Sequence, residues 1–211
     1  MKLLLAGWLV ALFGPFVFQA PGQDLENTGL HPWKENPRYW AMNGKPVVLI
    51  GGSDDDNLFQ WPADTLIPQL DRLVEAGGNL IRNTMSDRQD LGVEVYPFKR
   101  LENDLYDLDQ WNPEYWKRVD RMLEETARRG IVVQIEIWDR FDYSDVRKPH
   151  WQKHPYRPAN NVTYSEDDTG LADRYPDHPG ANKQPFFFST PEQRNIGPLL
   201  RIQNRFVDHL L

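Results

Sequence analysis

The sequence predicts an α/β fold in which three parallel strands alternate with helices. Three apolar runs, at residues 45–53, 79–86 and 131–137, have the composition of buried strands. The two stretches between them carry apolar residues at helical spacing and end at glycine. Each strand is mostly apolar on both faces, as a parallel sheet covered by helices requires.

The helix boundaries follow from capping residues. Thr65 can cap the first helix, and Pro68 then falls in the first turn, where a missing N–H matters least. Asn112 can cap the second helix, and Pro113 suits its first position. A last helix is predicted from about Pro191, because apolar residues again recur at helical spacing.

The segment from about residue 140 to residue 190 shows no period. A connection of this length is far above the usual range for α/β units, so it is either functional or disordered. Its many aromatic residues argue against plain disorder. They include Phe141, Tyr143, Trp151, Tyr156, Tyr164, Tyr175 and Phe186.

Composition excludes several classes of protein. The chain has 211 residues, enough for one domain with its own core. It contains no cysteine, which excludes disulfides, a thiol nucleophile and Cys-ligated zinc. The formal net charge is −7 and basic residues form no stripe, so nucleic acid is not an expected partner.

The N-terminus has the layout of a secretory signal. Lys2 precedes an apolar run from Leu3 to Phe18, which small and polar residues follow. The run is short for a membrane span, so stable membrane insertion is not expected, although an uncleaved anchor is the alternative. We assign residues 1–22 to a signal peptide and 23–36 to a linker, and expect a secreted or periplasmic protein. Asn161 begins a glycosylation sequon, which matters only if the host glycosylates.

The third strand ends in a cluster of polar and aromatic residues. Alternation places Gln134, Glu136 and Trp138 on one face of this strand. In α/β folds ligands bind beyond the carboxyl ends of the strands. Trp138 beside Asp139 suits a sugar, because the ring stacks on a pyranose and the carboxylate binds hydroxyl groups. The alternative for Glu136, Trp138 and Asp139 is a buried network that fixes packing.

Further candidates follow the first two strands. Arg82 could orient a catalytic carboxylate, or it could form a surface salt bridge. Asn83 and Asp54 are candidates for contacts to substrate hydroxyl groups, and Asp54 is alternatively part of a solvated loop. His150 and His154 are four residues apart, but Pro149 disfavours a helical metal pair. We therefore expect no metal site and no cofactor.

Two stretches resemble a known enzyme clan. GGNLIRNTMS and DLDQWNPEYWKRVDRMLEETARRGIVVQIEIWD resemble the N-terminal half of the retaining (β/α)8-barrel glycoside hydrolases, which include the cellulase-like family 5. The resemblance implies a TIM barrel of which residues 37–211 hold the first three β/α units. It also implies that Arg82 supports the nucleophile. The clan's catalytic glutamates follow strands four and seven, so we expect both beyond Leu211 and none in this chain, which alone should be inactive.

Three functions remain open at this point. The first is the N-terminal part of a secreted retaining glycosidase that acts on poly- or oligosaccharides. The second is a non-catalytic carbohydrate-binding or scaffold protein on a barrel fold, separated from the first by whether two catalytic glutamates exist. The third is a small doubly wound binding protein, for which Gly51-Gly52-Ser53 is too short a phosphate turn.

Overall fold

The computed structural model describes residues 29–85, 91–146 and 148–211. The chain divides into two compact units, Met1–Val48 and Leu49–Leu211. The predicted signal peptide, residues 1–22, and the first part of the predicted linker lie outside the described residues. Within the described ranges, none of the helices has the length and apolar character needed to cross a membrane.

The first unit contains a small antiparallel sheet in the order β1-β2-β3. Its strands are β1 (His31–Pro32), β2 (Trp40–Met42) and β3 (Lys45–Val47). The turn between β2 and β3 is made by Asn43 and Gly44, which have φ angles of 52° and 72°. Positive φ at both positions is typical of a two-residue hairpin with an Asn-Gly pair.

The predicted first strand, 45–53, does not form as one strand. Its first residues belong to β3, whereas Gly51 makes only an isolated parallel bridge to Leu80. A Cβ atom on Gly51 would lie 1.7 Å from the Leu80 carbonyl oxygen, so this approach requires glycine. The two glycines that suggested the end of a strand therefore mark a close backbone contact.

Helix α1 (Ala63–Glu75) follows a 3₁₀ turn at Leu58–Gln60 and begins earlier than predicted. Thr65 does not cap it; its hydroxyl group instead donates to the Pro62 carbonyl at 2.9 Å. Pro68 consequently lies inside the helix, on its exposed side, where water can reach the carbonyl group that loses its usual bond. The helix ends as predicted, because Gly77 and the next residue close a Schellman motif.

The central β-α-β unit matches the sequence prediction. Strand β4 (Leu80–Thr84) pairs in parallel with β7 (Val132–Glu136), and α2 (Pro113–Arg128) lies between them in the chain. The Asn112 side chain accepts a hydrogen bond from the backbone N–H of Glu114 at 3.1 Å, which confirms it as the N-cap of α2.

A second hairpin lies where the sequence indicated only a loop. It consists of β5 (Phe98–Arg100) and β6 (Tyr106–Trp111), which pair with a register shift between Phe98 and Lys99. Polar residues dominate both strands, so the alternation of apolar residues that marks a strand is weak.

The long segment after β7 is ordered but contains little regular structure. Its elements are α3 (His150–Lys153), α4 (Glu166–Thr169) and 3₁₀ turns at Pro158–Asn160 and Pro185–Phe188. Helix α5 (Gly197–Leu210) starts later than the predicted Pro191, because the preceding residues form a turn with Asn195 at a φ of 50°.

Two clusters of buried side chains hold the structure together. The first core joins α1, α2, β4 and α5 and comprises Leu58, Phe59, Leu66, Leu70, Ile81, Met85, Tyr115, Val119, Met122, Ile131 and Phe206. The second core joins the β5–β6 hairpin, the long segment and α5. It comprises Phe98, Leu108, Tyr143, Trp151, Tyr156, Tyr164, Leu171, Tyr175, Phe186, Leu199 and Ile202. Trp111 and Trp138 pack against both cores.

The described part of the chain is thus a mixed α/β structure with small sheets. One sheet has three strands and two have two strands each, and no closed barrel is formed by residues 29–85, 91–146 and 148–211. The predicted α/β class is therefore confirmed, and the assignment of residues 37–211 to the first units of a TIM barrel stays a prediction.

Candidate functional site

The β4–β7 sheet has one apolar and one polar face. Its register pairs Arg82 with Gln134 and Thr84 with Glu136, so these four side chains share a face. The opposite face packs its side chains into the first core: Ile81, Val133, Ile135 and Ile137. The predicted assignment of residues to the two faces of strand β7 is thereby confirmed as far as Ile137.

The polar face carries an ion pair between neighbouring strands. Arg82 Nη1 lies 3.5 Å from Glu136 Oε1, and the two side chains are 54% and 39% exposed. The buried Thr84 hydroxyl donates to Glu136 Oε2 at 3.0 Å. We call Arg82, Thr84, Gln134 and Glu136 the strand-end cluster. One carboxylate oxygen of Glu136 thus accepts from Thr84, and the other faces Arg82. A guanidinium has five N–H donors, so Arg82 can also donate to a further partner.

The contacts of the strand-end cluster correspond to the structural alternatives for Arg82 and Glu136, a salt bridge and a hydrogen-bonded network. Arg82 forms a largely solvated salt bridge, which was the structural alternative for this residue. Such a pair contributes at most about 1 kcal/mol to stability. Glu136 is in a small hydrogen-bonded network but remains accessible from the sheet face. Both side chains therefore remain accessible to solvent.

Trp138 does not continue the polar face. Strand β7 ends at Glu136, and the Trp138 ring packs edge-on against Phe186 at 5.4 Å and tilts against Phe206 at 6.3 Å. Its indole Nε1 is buried and has no hydrogen-bond partner. These contacts match the packing alternative for Trp138, because the chain turns after the strand and brings the ring against both cores. The predicted contact of Trp138 with sugar stays a prediction.

Part of the Trp138 ring still lines an open groove of about 320 Å³ beside α5. The other described residues that line it are half apolar and half polar, and the apolar ones include Phe187, Leu200 and Val207. Asp139, the next residue, accepts a hydrogen bond from the Phe141 N–H at 2.9 Å and so helps to form the turn after β7.

Asn83 is a packing residue. It is fully buried on the apolar face, its Oδ1 accepts from the Phe59 N–H at 3.2 Å, and its Nδ2 donates to the Thr84 carbonyl at 3.2 Å. Alternation along β4 turns Asn83 away from the face that holds Arg82, and its predicted contact with substrate stays a prediction.

Asp54 is an exposed loop residue. Its carboxylate lies 3.7 Å from Arg72 Nη2, and both side chains are about two-thirds exposed. The predicted contact of Asp54 with substrate hydroxyl groups stays a prediction. Within residues 29–85, 91–146 and 148–211, no three His, Asp or Glu side chains converge in a way that could hold a metal ion.

His154 is a buried residue whose ring packs against the second core. Its Nδ1 accepts from the Tyr156 N–H at 3.2 Å, and the ring lies 4.3 Å from that of Tyr143. Burial, assisted by the nearby His150, lowers the pKa of His154 from 6.5 to about 3. The histidine is therefore neutral near physiological pH.

The Asn161 side chain is used within the fold. Its Nδ2 donates to the carbonyl groups of Pro155 and Arg157, both at 3.0 Å, and its Oδ1 accepts from Thr163 and Tyr164. The folded sequon thus presents no accessible amide for glycosylation.

Thr84 is the residue of the cluster that sequence reasoning did not select. The sequence did indicate its position, because Thr84 lies two residues after Arg82 and therefore shares the same face of the strand. What the sequence alone could not supply was the register with β7, which sets Thr84 opposite Glu136.

The chain shows little similarity to known proteins. No family model and no curated protein matches the chain. Among solved structures, the chain is similar to a candidate glycoside hydrolase from Bacteroides vulgatus, with 15% sequence identity and a TM-score of 0.44. The similarity covers 58% of this chain and 26% of that protein, so the chain spans about a quarter of its length.

Proposed function

We propose that this chain is the N-terminal part of a secreted glycoside hydrolase. In this proposal residues 37–211 contribute the first β/α units of a (β/α)8 barrel, and Arg82 supports the catalytic nucleophile. The observation that carries the proposal is the strand-end cluster, in which Arg82 and Glu136 face solvent from adjacent parallel strands, 3.5 Å apart.

The position of this ion pair favours a ligand site over packing. A charged pair enclosed by apolar side chains would incur a large desolvation cost. On the exposed face of a parallel sheet the same groups can bind a polar ligand or a second carboxylate, and the carboxyl ends of strands are the usual location of such sites.

The proposed chemistry is the retaining mechanism with two carboxyl groups. One protonates the leaving oxygen and the other, about 5 to 5.5 Å away, attacks the anomeric carbon. We assign neither role to a residue of this chain, and Glu136 in particular is engaged by Arg82 and Thr84. Arg82 would hold the nucleophile ionised and in position through its remaining N–H groups.

The residues proposed to bind sugar differ in what they can contribute. Asp54 is exposed and can accept hydrogen bonds from hydroxyl groups. Trp138 offers only the part of its ring that lines the groove beside α5. Asp139 belongs to the turn after β7, which places it next to the sheet end but restricts its orientation.

The proposal is tested on the protein encoded by the whole reading frame that contains residues 1–211. It should hydrolyse aryl glycosides or oligosaccharides, and NMR should show that the product keeps its anomeric configuration. Arg82→Ala should lower kcat on the order of a hundredfold with a smaller change in KM, as expected for a group that acts on the reacting carboxylate. Arg128→Ala, at another exposed ion-paired arginine, on helix α2, is the matched control.

Two outcomes would count against hydrolysis. Unchanged turnover in Arg82→Ala would remove the role proposed for the strand-end cluster. Oligosaccharide binding without any turnover would instead favour the non-catalytic carbohydrate-binding function.

A further inference from the structure

Thr84 is the buried member of the strand-end cluster. Its residue is fully buried, whereas solvent reaches the side chains of Arg82 and Glu136. The Thr84 hydroxyl donates to Glu136 Oε2 at 3.0 Å, and within the described ranges of the chain this is the one hydrogen bond that the hydroxyl makes. The cluster therefore starts from a buried donor and ends at an exposed guanidinium.

The Thr84 side chain has little freedom to move. Backbone pairing fixes β4 against β7 in a register that places Thr84 opposite Glu136. Threonine is branched at Cβ, which restricts rotation about χ1. A buried hydroxyl that lost its acceptor would also be left unsatisfied, which favours the orientation toward Glu136. Thr84 is thus a rigid donor at the base of the cluster.

Arg82, by contrast, has a long and largely solvated side chain. An arginine that nothing holds samples many rotamers. Among the described residues its guanidinium contacts Glu136, with Nη1 3.5 Å from Oε1. Gln134 lies opposite Arg82 in the register, but it is exposed and its side chain forms no hydrogen bond in this part of the chain. The direction of Arg82 therefore depends on where the Glu136 carboxylate points.

The Glu136 carboxylate connects the rigid residue to the flexible one. Oε2 accepts from Thr84, and Oε1 faces Arg82. Because a carboxylate is planar and accepts preferentially near its plane, a hydrogen bond to one oxygen limits the directions of the other. Stability alone does not account for this arrangement, since a solvated ion pair contributes little to it.

We propose that Thr84 is a positioning residue of the strand-end cluster: through the Glu136 carboxylate it fixes the direction of the Arg82 guanidinium. Thr84 acts on Arg82 and not on a reacting atom. The consequence for catalysis, that Arg82 is held toward a nucleophilic carboxylate, rests on the proposed glycosidase function. The positioning itself is measurable without any activity.

NMR relaxation of arginine side chains in the purified chain tests the positioning. Thr84→Val keeps a side chain branched at Cβ but removes the donor. The order parameter of the Arg82 Nε–H group should then fall by roughly a third, which is the difference between a rigid and a flexible group. The spectrum of Arg82→Lys identifies the Arg82 signal by its loss.

Two further variants separate positioning from the loss of a buried hydroxyl. Thr84→Ser keeps the donor and should preserve most of the order of Arg82. Thr126→Val is the matched control, because Thr126 is also buried and its hydroxyl donates to the Met122 carbonyl at 2.8 Å within α2. Both valine variants can lower the denaturant midpoint, but Thr126→Val should leave the Arg82 signal unchanged.

Kinetics of the protein encoded by the whole reading frame test the consequence for turnover. Thr84→Val should lower kcat roughly tenfold, as expected for a misplaced group, with KM changed less than about twofold. Thr84→Ser should restore most of the rate. Adding Thr84→Val to Glu136→Ala should cause no further loss, because the two residues act in series on Arg82.

Two results would overturn the inference. An Arg82 side chain that stays equally ordered in Thr84→Val would show that Thr84 does not hold it. An active full-length protein whose kcat is unchanged in Thr84→Val would show that the contact serves packing. Conversely, loss of Arg82 order in a full-length protein without hydrolytic activity would support the positioning and refute only the glycosidase.

Discussion

The two cores of the second unit are built from different kinds of chain. The first core is assembled by helices and strands whose apolar residues recur with a regular period. The second core depends on large side chains from a segment with little regular structure. Local rules can therefore assign side chains to the first core, whereas only contacts between distant residues define the second.

Tyr143 illustrates how the second core is organised. Its ring lies between 4.3 and 6.4 Å from those of five neighbours. They are Trp151, His154, Tyr156, Phe186 and Phe187. Aromatic contacts of this kind add to the stabilisation from burial, so a few rings can take the place of regular secondary structure.

The largest effect is expected for Trp151→Ala. Trp151 is fully buried, and its Nε1 donates to the Ala172 carbonyl at 2.9 Å. Truncation should lower the free energy of unfolding by about 3 to 5 kcal/mol, as for other buried tryptophans. Urea unfolding followed by far-UV circular dichroism measures this loss, and Tyr115→Ala provides the comparison in the first core.

The same pair of variants tests whether the cores fold together. Trp111 and Trp138 contact both cores, so we expect Trp151→Ala and Tyr115→Ala to shift one common transition. Hydrogen exchange would contradict this expectation if helix α2 stayed protected while Trp151→Ala unfolded the second core. The two cores would then be separate cooperative units.

Smaller losses of stability, of unequal size, are expected for Asn83 and Arg82, which are neighbours on β4. Asn83→Ala should destabilise the protein by about 1 to 3 kcal/mol, because it leaves the buried Phe59 N–H without its acceptor. Arg82→Ala should change stability by less than about 1 kcal/mol, because its ion pair is largely solvated. Denaturant midpoints decide the order, and the reverse order would mean that the two faces of β4 are wrongly assigned.

The regular region was predictable because period and capping are local properties. Asn112 and Pro113 predict the start of α2, and the structure confirms it. Thr65 shows the limit of such signals, since the helix starts before it and the hydroxyl bonds Pro62 instead. The start of a helix also depends on which residues of its first turns pack. In α1 the buried residue is Leu66, which lies in the first core.

The site was predictable only in part. Alternation correctly placed Gln134 and Glu136 on one face of β7, but it could not show that β7 ends before Trp138. The direction of the chain after a strand depends on distant partners, here Phe186 and Phe206. The β5–β6 hairpin was missed for the same reason, since its contacts to the long segment join residues far apart in sequence.

The last prediction concerns the dependence of the second core on pH. Burial lowers the pKa of His154 from 6.5 to about 3, so the unfolded chain binds a proton at higher pH than the folded chain does. Stability is therefore complete above pH 6.5 and is lost progressively as the pH falls towards about 3. By pH 5.5 the loss from this residue should be about 1.4 kcal/mol, equivalent to one pKa unit.

Urea unfolding at several pH values measures this loss. His154→Asn should flatten the slope of stability between pH 7.5 and pH 5.5 by about 1.4 kcal/mol, because asparagine can accept a hydrogen bond from Tyr156 but does not titrate. His178→Asn is the matched control, since the exposed His178 accepts from the Gly180 N–H in the same way through Nδ1. A slope that persists in His154→Asn would show that the acid sensitivity arises outside the aromatic core. A slope that disappears would show that one buried ring makes the irregular region more sensitive to acid than the regular one.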